Sequence, residues 1–527
     1  MFRVLVTDNV ADEGVAALNR EPDITADVRQ KLTPEELLAI IGDYDGLIVR
    51  SATKVTKEVL ERGTRLKVVG RAGVGVDNID VAEATKRGII VVNAPGGNTI
   101  AATEHTLALM LALARNVPQA DAKLKSGVWD KKSFVGVELR NKVLGVLGLG
   151  RIGGAVAKRA QAFAMTVVAY DPYIAEERAR ELGVELCSFE EVLRRADFLS
   201  VHMPLTKETY HLLGARAFAM MKDGARLVNC ARGGIVDENA LYEALKSGKL
   251  GGAALDVFEK EPVTASPLFE LPNVIVTPHL GASTREAQVS VAVDVAEEVV
   301  AALRGELVRN AVNIPALKPE VLMAVRPYLD LAERLGRFMG QLSEGRTASV
   351  DLVYSGELSA LEVGPLTIAF LKGLLNIFLQ EQVNFVNAGL VAQERGIKVH
   401  ETRSFRDEDY ANLITARVTT DRGEHSLAGT LLQGGEARVV MIDGYRIDAA
   451  PAGHMLIIPH IDRPGIIGRI GTLIGNDNVN IAAMQVGRKE IGGRAVMVLS
   501  VDSPVPEHTL AEIAKGDGVY GVKMVSL

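Results

Sequence analysis

Along the first three-fifths of the chain, short apolar and β-branched runs alternate with stretches whose apolar residues recur at helical spacing. Residues 2–7, 46–49, 67–70 and 89–93 read as strands, with helical patterns such as 10–20 and 33–41 between them. Strands separated by helices predict a parallel sheet with crossover connections. NAPGGNTIAATEHTLALMLALARNVPQA then opens a long helix, read as the crossing from a first lobe to a second. The strand rhythm resumes at 143–147, 166–170, 198–202, 226–230, 250–257 and 274–278. An amphipathic helix follows in TREAQVSVAVDVAEEVVAALRGE and ends at the prolines of NAVNIPALKPE. From about 317 the pattern changes to a strand in SVDLVYSG, an apolar helix around 371–379 and hairpin-like alternation up to about 454. The tail, from HMLIIPH onward, reads strand, helix, strand, strand, helix, strand.

Chemistry enters where these elements meet. The strand at 143–147 runs into Gly148-Leu149-Gly150-Arg151-Ile152-Gly153, a helical stretch follows, and the next strand ends on Asp171. Glycines at the first two positions permit a tight turn and close approach of a diphosphate, and Gly153 permits the helix to pack against the sheet. Helix-start amides then face the diphosphate, while Asp171 accepts from a ribose and repels a 2′-phosphate. NAD is therefore expected over NADP. Later strand ends carry VHMPLT, NCARGGIVDE, DVFEKEP and TPHLGAST. For hydride removal from a carbinol, His279 suits the role of base, Glu261 that of its carboxylate partner, and Arg232 that of a grip on a substrate carboxylate. His202 is the rival base, although its loop with Pro204 fits a nucleotide wall better. In the first lobe, VRSATKVT places Arg50 and Ser51, and GRAGVGVDN places Arg71, just past strand ends. Either arginine there is a surface charge or a grip on phosphate or carboxylate.

Composition narrows the class. A chain of 527 residues exceeds one core, so several domains are expected. A net charge of −7 without long charged runs gives no footprint for nucleic acid or an acidic membrane, leaving anionic small molecules to local arginines. Cys187 and Cys230 form neither a disulfide framework nor a metal spacing. With no signal-peptide layout and no apolar run of spanning length, a cytoplasmic protein with no metal is expected.

The set GLGRIG, VHMPLT, NCARGG, DVFEKEP and TPHLGAST resembles the D-isomer-specific 2-hydroxyacid dehydrogenases over about the first three-fifths of the chain. That resemblance implies Arg232, Glu261 and His279 as the catalytic trio. It implies a cofactor lining of Arg151, Ile152, Asp171, Cys230, Asp256 and Gly281, to which the flanking Ala231 and Ala282 are added. VRSATKVT, GRAGVGVDN and NAPGGNT resemble members that act on 3-phosphoglycerate, which implies Arg50, Ser51, Arg71, Val74 and Asn98 as substrate residues. Other 2-hydroxy acids, and a non-enzymatic NAD-sensing protein of the same fold, are the alternatives. The tail resembles an ACT domain. Asp462 sits in its strand-to-helix turn beside His460 and Gly465, with Asn480 as expected partner around an amino acid, which the resemblance implies to be L-serine. The fold expected is α/β, with two Rossmann-like parallel-sheet domains, one discontinuous, then an α+β intervening domain and a C-terminal α+β ACT domain. Boundaries are expected at 1–97, 98–285, 286–314 (returning to the first), 315–452 and 453–527, in a homotetramer.

Overall fold

The computed structural model describes residues 1–306, 308–314, 319–379, 383–405, 410–432 and 434–527. The expected boundary at 315 lies outside the described residues. Strands β1 (Phe2–Val6), β2 (Ile24–Val28), β3 (Gly46–Val49), β4 (Val68–Arg71) and β5 (Ile90–Asn93) form a parallel sheet ordered β2-β1-β3-β4-β5. The amphipathic helix Arg285–Leu303 returns to this sheet, where Val291, Val295 and Val299 share a core with Val4, Ile48 and Val68. The first lobe is therefore built from two separated pieces of chain.

The second sheet is also parallel, ordered β12-β11-β10-β9-β6-β7-β8. Its strands are β6 (Val143–Leu147), β7 (Thr166–Tyr170), β8 (Glu185–Leu186), β9 (Phe198–Val201), β10 (Ala225–Asn229), β11 (Leu250–Leu255) and β12 (Val274–Val276). Chain direction reverses its lateral progress between β6 and β9. A crevice opens at such a switch point, past the carboxyl ends of the strands. The long helix Thr99–Arg115 seats Leu107, Met110 and Leu113 in the core with Leu144 and Val146.

Beyond these lobes lies a mixed sheet of β13 (Thr347–Gly356), β14 (Lys398–Ser404), β15 (Asn412–Thr420), β16 (Gly423–Leu431), β17 (Ala437–Ile442) and β18 (Tyr445–Ala449). Its order is β14-β13-β15-β16-β17-β18, with only the β13–β14 pair parallel. Two helices, Pro319–Leu342 and Gly364–Phe378, pack with it. The apolar helix expected around 371–379 thus starts earlier, and the long helix before it is absent from the periodicity reading. The C-terminal antiparallel sheet, β20-β21-β19-β22, has the expected strand and helix order. It comprises β19 (His454–Ile461), β20 (Ile481–Arg488), β21 (Arg494–Val501) and β22 (Lys523–Ser526). Among the described residues no helix is long and apolar enough to cross a membrane.

Candidate active site

The glycine-rich turn has the geometry a diphosphate requires. Gly148 adopts φ +89°, and a Cβ on Gly153 would stand 2.0 Å from the Gly148 carbonyl oxygen, so both positions demand glycine. The helix Arg151–Ala162 begins at Gly150 without a side-chain cap, leaving its first amides, including those of Arg151 and Ile152, without side-chain acceptors. A Cβ on Gly150 would meet nothing within 4 Å, so the approach to those amides is open. Asp171, just past β7, accepts from the Leu149 amide (2.8 Å) and the Tyr173 amide (2.9 Å). Its carboxylate is thereby fixed at the mouth of the turn, with lone pairs left for ribose hydroxyls. These features fit a dinucleotide, and the acid disfavours a 2′-phosphate.

Strand ends beyond the turn build a wall. His202 lies 2.8 Å from the Ser200 hydroxyl, and burial pushes its pKa down to about 4. A ring that stays neutral and weakly basic at neutral pH is a poor proton acceptor, which counts against the rival base. Pro204 is exposed, its carbonyl accepting from the Thr209 hydroxyl (2.7 Å). Burial pushes the Cys230 thiol up to about 12, so it remains protonated. Ala231 donates its amide to the Asn229 side chain (3.0 Å). Asp256 is wholly buried and accepts from the Thr277 hydroxyl (2.6 Å), the Leu280 amide (2.7 Å) and the Gly281 amide (2.8 Å), with His105 Nε2 at 3.1 Å. Burial alone would raise its pKa, but these bonds hold it below the usual range. Asp256 thus shapes the loop that carries His279, Gly281 and the partly exposed Ala282.

His279 takes φ +55°, and its amide donates to the Asp256 carbonyl (3.0 Å). Its Nδ1 stands 2.7 Å from Glu261 Oε2, while the other Glu261 oxygen accepts from the Phe258 amide (3.1 Å). The Glu261 bond raises the histidine pKa, against the opposing effect of burial. Burial would raise the Glu261 pKa, but the bonds from His279 and the Phe258 amide, with the charge of His279, together outweigh it and hold the pKa below its ordinary value. Nε2 of His279 has no partner among the described residues, and the side chain is about half exposed (49%). Arg232 approaches closely enough that its charge acts on His279. Its Nη1 donates to the Ala231 carbonyl (2.8 Å) and its Nε to Asp77 of the other lobe (3.1 Å).

Facing this trio, the first lobe presents cations. The Arg50 amide donates to Asp8 (2.6 Å), and its guanidinium to the Asn9 carbonyl (2.8 Å); Ser51 is exposed beside it. Arg71 donates to the Ala72 carbonyl (2.8 Å), but its Nε is buried without a partner. Burial, then the positive charges of Arg50 and Arg232, lower its pKa to about 10. Arg50 and Arg232 therefore each repel Arg71 across one gap, the condition an incoming multivalent anion relieves. The Val74 carbonyl accepts from Asn93 (2.6 Å), and Asn98 precedes the helix Thr99–Arg115 with a buried, unpartnered Oδ1.

Sequence reasoning overlooked His105, Thr277 and Asp77. His105 stands in the polar stretch 103–106 of an otherwise largely apolar helix, and that interruption was the available signal. In the C-terminal unit the expected effector residues have other partners within one chain. Asp462 pairs with Arg488 at 2.8 Å, Asn480 donates to Asp502 at 2.8 Å, and the buried His460 ring turns its Nδ1 toward the Ile458 carbonyl (3.0 Å). Gly465, at φ +93°, starts a helix without a side-chain cap. Asp462 follows the end of β19 while Asn480 precedes the start of β20, and both strands oppose β21 in like direction. A strand length of roughly 25 Å separates them, so one chain does not bring the two side chains around one small ligand.

Residues 107–281 match the family described as D-isomer specific 2-hydroxyacid dehydrogenase, NAD binding domain. Residues 324–443 match the D-3-phosphoglycerate dehydrogenase intervening domain, and 454–515 the ACT domain. The chain is 48% identical over its whole length to D-3-phosphoglycerate dehydrogenase of Synechocystis sp., covering 95% of that protein. It is 46% identical to the protein of that name from Bacillus subtilis, with both chains fully covered. Among solved structures, a Thermus thermophilus protein matches with TM-score 0.55 and 40% identity, over 59% of this chain and 99% of that one. D-lactate dehydrogenase from Aquifex aeolicus, complexed with NAD and lactic acid, matches with TM-score 0.54 and 31% identity, over 59% of this chain and all of its own.

Proposed function

The chain belongs to the D-3-phosphoglycerate dehydrogenases of the D-isomer-specific 2-hydroxyacid dehydrogenase family, and from that premise we propose that it oxidises 3-phosphoglycerate to 3-phosphohydroxypyruvate, opening serine synthesis. The observation that carries this reading is the Glu261–His279 pair, 2.7 Å apart, beside Arg232 and opposite Arg50 and Arg71. NAD, when bound, accepts the hydride released from the substrate carbinol carbon. Arg151, Ile152 and Gly153 hold its diphosphate through backbone amides, Asp171 holds its ribose, and Cys230, Ala231, Asp256, Gly281 and Ala282 bound the rest of its site. Arg232 grips the substrate carboxylate and orients the carbinol. His279 takes the hydroxyl proton at Nε2, with Glu261 on Nδ1 fixing the tautomer and stabilising the imidazolium that results. In the reverse direction the same imidazolium returns the proton. Arg50 and Arg71 take the phosphate end, and Ser51, Val74 and Asn98 complete the substrate site.

Regulation and assembly complete the proposal. Asp462 beside the uncapped helix start suits the ammonium and carboxylate of L-serine, and Asn480 of a second copy completes the site, since one chain separates the two residues. Val117, Leu124, Trp129 and Val135 are exposed, at 53%, 54%, 75% and 81%, on one helix and the loop after it. Large apolar side chains left exposed over so short a stretch support burial against another copy in a homotetramer of the cytoplasm. Sedimentation of the full chain as a monomer at assay concentration would exclude that assembly.

The test of function is NADH formation with 3-phosphoglycerate beside D-glycerate, its unphosphorylated counterpart, with and without L-serine. The phosphorylated substrate is expected to have the higher kcat/KM by at least about a hundredfold, the scale of two desolvated arginine contacts, and serine to slow the reaction. Equal kcat/KM values would remove the phosphate assignment.

A further inference from the structure

A substrate with an anion at each end can enter the gap in two directions, and only one presents its carbinol to His279. Three cations line that gap, so positive charge alone does not choose. The acids around it differ between the two ends. Asp8, on the Arg50 side, is buried and accepts from the Arg50 amide, the Thr53 amide (3.2 Å) and the Thr53 hydroxyl (2.6 Å), so its oxygens are held by the turn itself. Asp77 is different. Its side chain is 68% exposed, and its bond to Arg232 Nε joins the turn after β4 to the turn after β10, across the two lobes.

The guanidinium is pressed in place as well as paired. A Cβ on Gly75 would fall 2.1 Å from Arg232 Nη2 and 2.7 Å from Asp77 Oδ2, so the fork lies directly against this turn. With Nε on Asp77 and one Nη1 proton on the Ala231 carbonyl, Nη2 and the remaining Nη1 proton are left for a substrate carboxylate. The carboxylate of Asp77 also lowers the positive potential at this end, whereas Arg71 has a buried Nε without a partner at the other. Asp8 and Asp77 both act on Arg71, against Arg50 and Arg232, but Asp8 is bonded to the Arg50 amide and to Thr53 whereas Asp77 bonds the Arg232 guanidinium itself.

We propose that Asp77 is a specificity-determining and positioning residue: it holds the Arg232 fork and marks that end of the gap as the seat for a singly charged carboxylate, sending the doubly charged phosphate to Arg50 and Arg71. The proposal rests on the reading that the substrate carries a phosphate. Rejection of a wrong pose by placed like charge is a general route to specificity. Asp77→Asn removes the charge and keeps a hydrogen-bond acceptor for Nε. Phosphate then competes with carboxylate at Arg232, and unproductive reversed binding becomes visible.

The experiment measures initial rates of the full-length protein at saturating NAD, for wild type, Asp77→Asn and Asp77→Glu. Substrates are 3-phosphoglycerate and D-glycerate, with inorganic phosphate as inhibitor. In Asp77→Asn the kcat and KM for 3-phosphoglycerate are expected to fall together, by about tenfold, while those for D-glycerate do not, because reversed binding is unproductive and cancels from kcat/KM; the factor is the scale of one partly screened charge at contact distance. Tighter inhibition by phosphate accompanies it, and Asp77→Glu restores both toward wild type. If Asp77→Asn slowed the two substrates equally, Asp77 would merely hold Arg232 and the orientation claim would fall. If it changed neither substrate nor phosphate inhibition, the whole inference would fall. A wild type without preference for 3-phosphoglycerate would instead overturn the substrate reading, which separates the two failures.

Discussion

His279 and Glu261 show how an ordinary imidazole becomes a base suited to alcohol oxidation. The glutamate bond raises the histidine pKa, so the neutral form that accepts a proton appears only above the usual histidine range. Oxidation is therefore expected to rise with pH through that raised value, and reduction to be favoured below it. In Glu261→Gln the ring loses its charged partner, its pKa returns toward the ordinary value, and the alkaline-rising limb of kcat/KM moves to lower pH. A fall in kcat of about ten- to a hundredfold accompanies the shift, because the imidazolium loses its counter-charge. A pH–rate profile checks both, and an unmoved limb would separate Glu261 from the base. At this scale the sequence was informative where motifs carry chemistry: Arg232, Glu261 and His279 were named from strand-end loops, and they meet. Asp77 and His105 were not, because their roles come from partners 155 and 151 residues away.

Element by element, legibility followed the strength of the periodic signal. Parallel strands buried on both faces, such as Gly46–Val49, announce themselves as apolar runs. The helix Pro319–Leu342 did not, because Pro327 stands inside it and reads as a breaker. Two further residues that weaken a helix reading, Gly336 and Gly340, have a packing reason. A Cβ on Gly336 would sit 2.0 Å from the Phe370 carbonyl oxygen, and one on Gly373 2.1 Å from the Glu333 carbonyl oxygen. The two helices cross backbone against backbone there, at the centre of a core that includes Phe338, Phe370 and Leu374. Gly336→Ala is expected to force them apart at a cost of about 1–3 kcal/mol, read as a lower urea midpoint. An unchanged midpoint would show that the crossing has slack.

Across the whole molecule, the site exists because chain order and spatial order differ. The helix Arg285–Leu303 follows the second sheet in sequence but packs on the first, so the chain passes between the lobes twice and the gap lies between them. Sequence reading expected that return from family resemblance; periodicity alone shows a helix without saying which sheet it covers. Relative placement of the C-terminal residues was less legible, since strand direction set Asp462 and Asn480 at opposite ends of a sheet. What unites the scales is a proton acceptor from one lobe meeting an anion grip from the other. The most direct test is steady-state NADH formation from 3-phosphoglycerate by full-length wild type and His279→Ala, with thermal unfolding and NADH binding measured alongside. The expected result is a loss of kcat of at least about a hundredfold with cofactor affinity and melting temperature retained. Near-normal turnover in His279→Ala would contradict the account and place the base elsewhere.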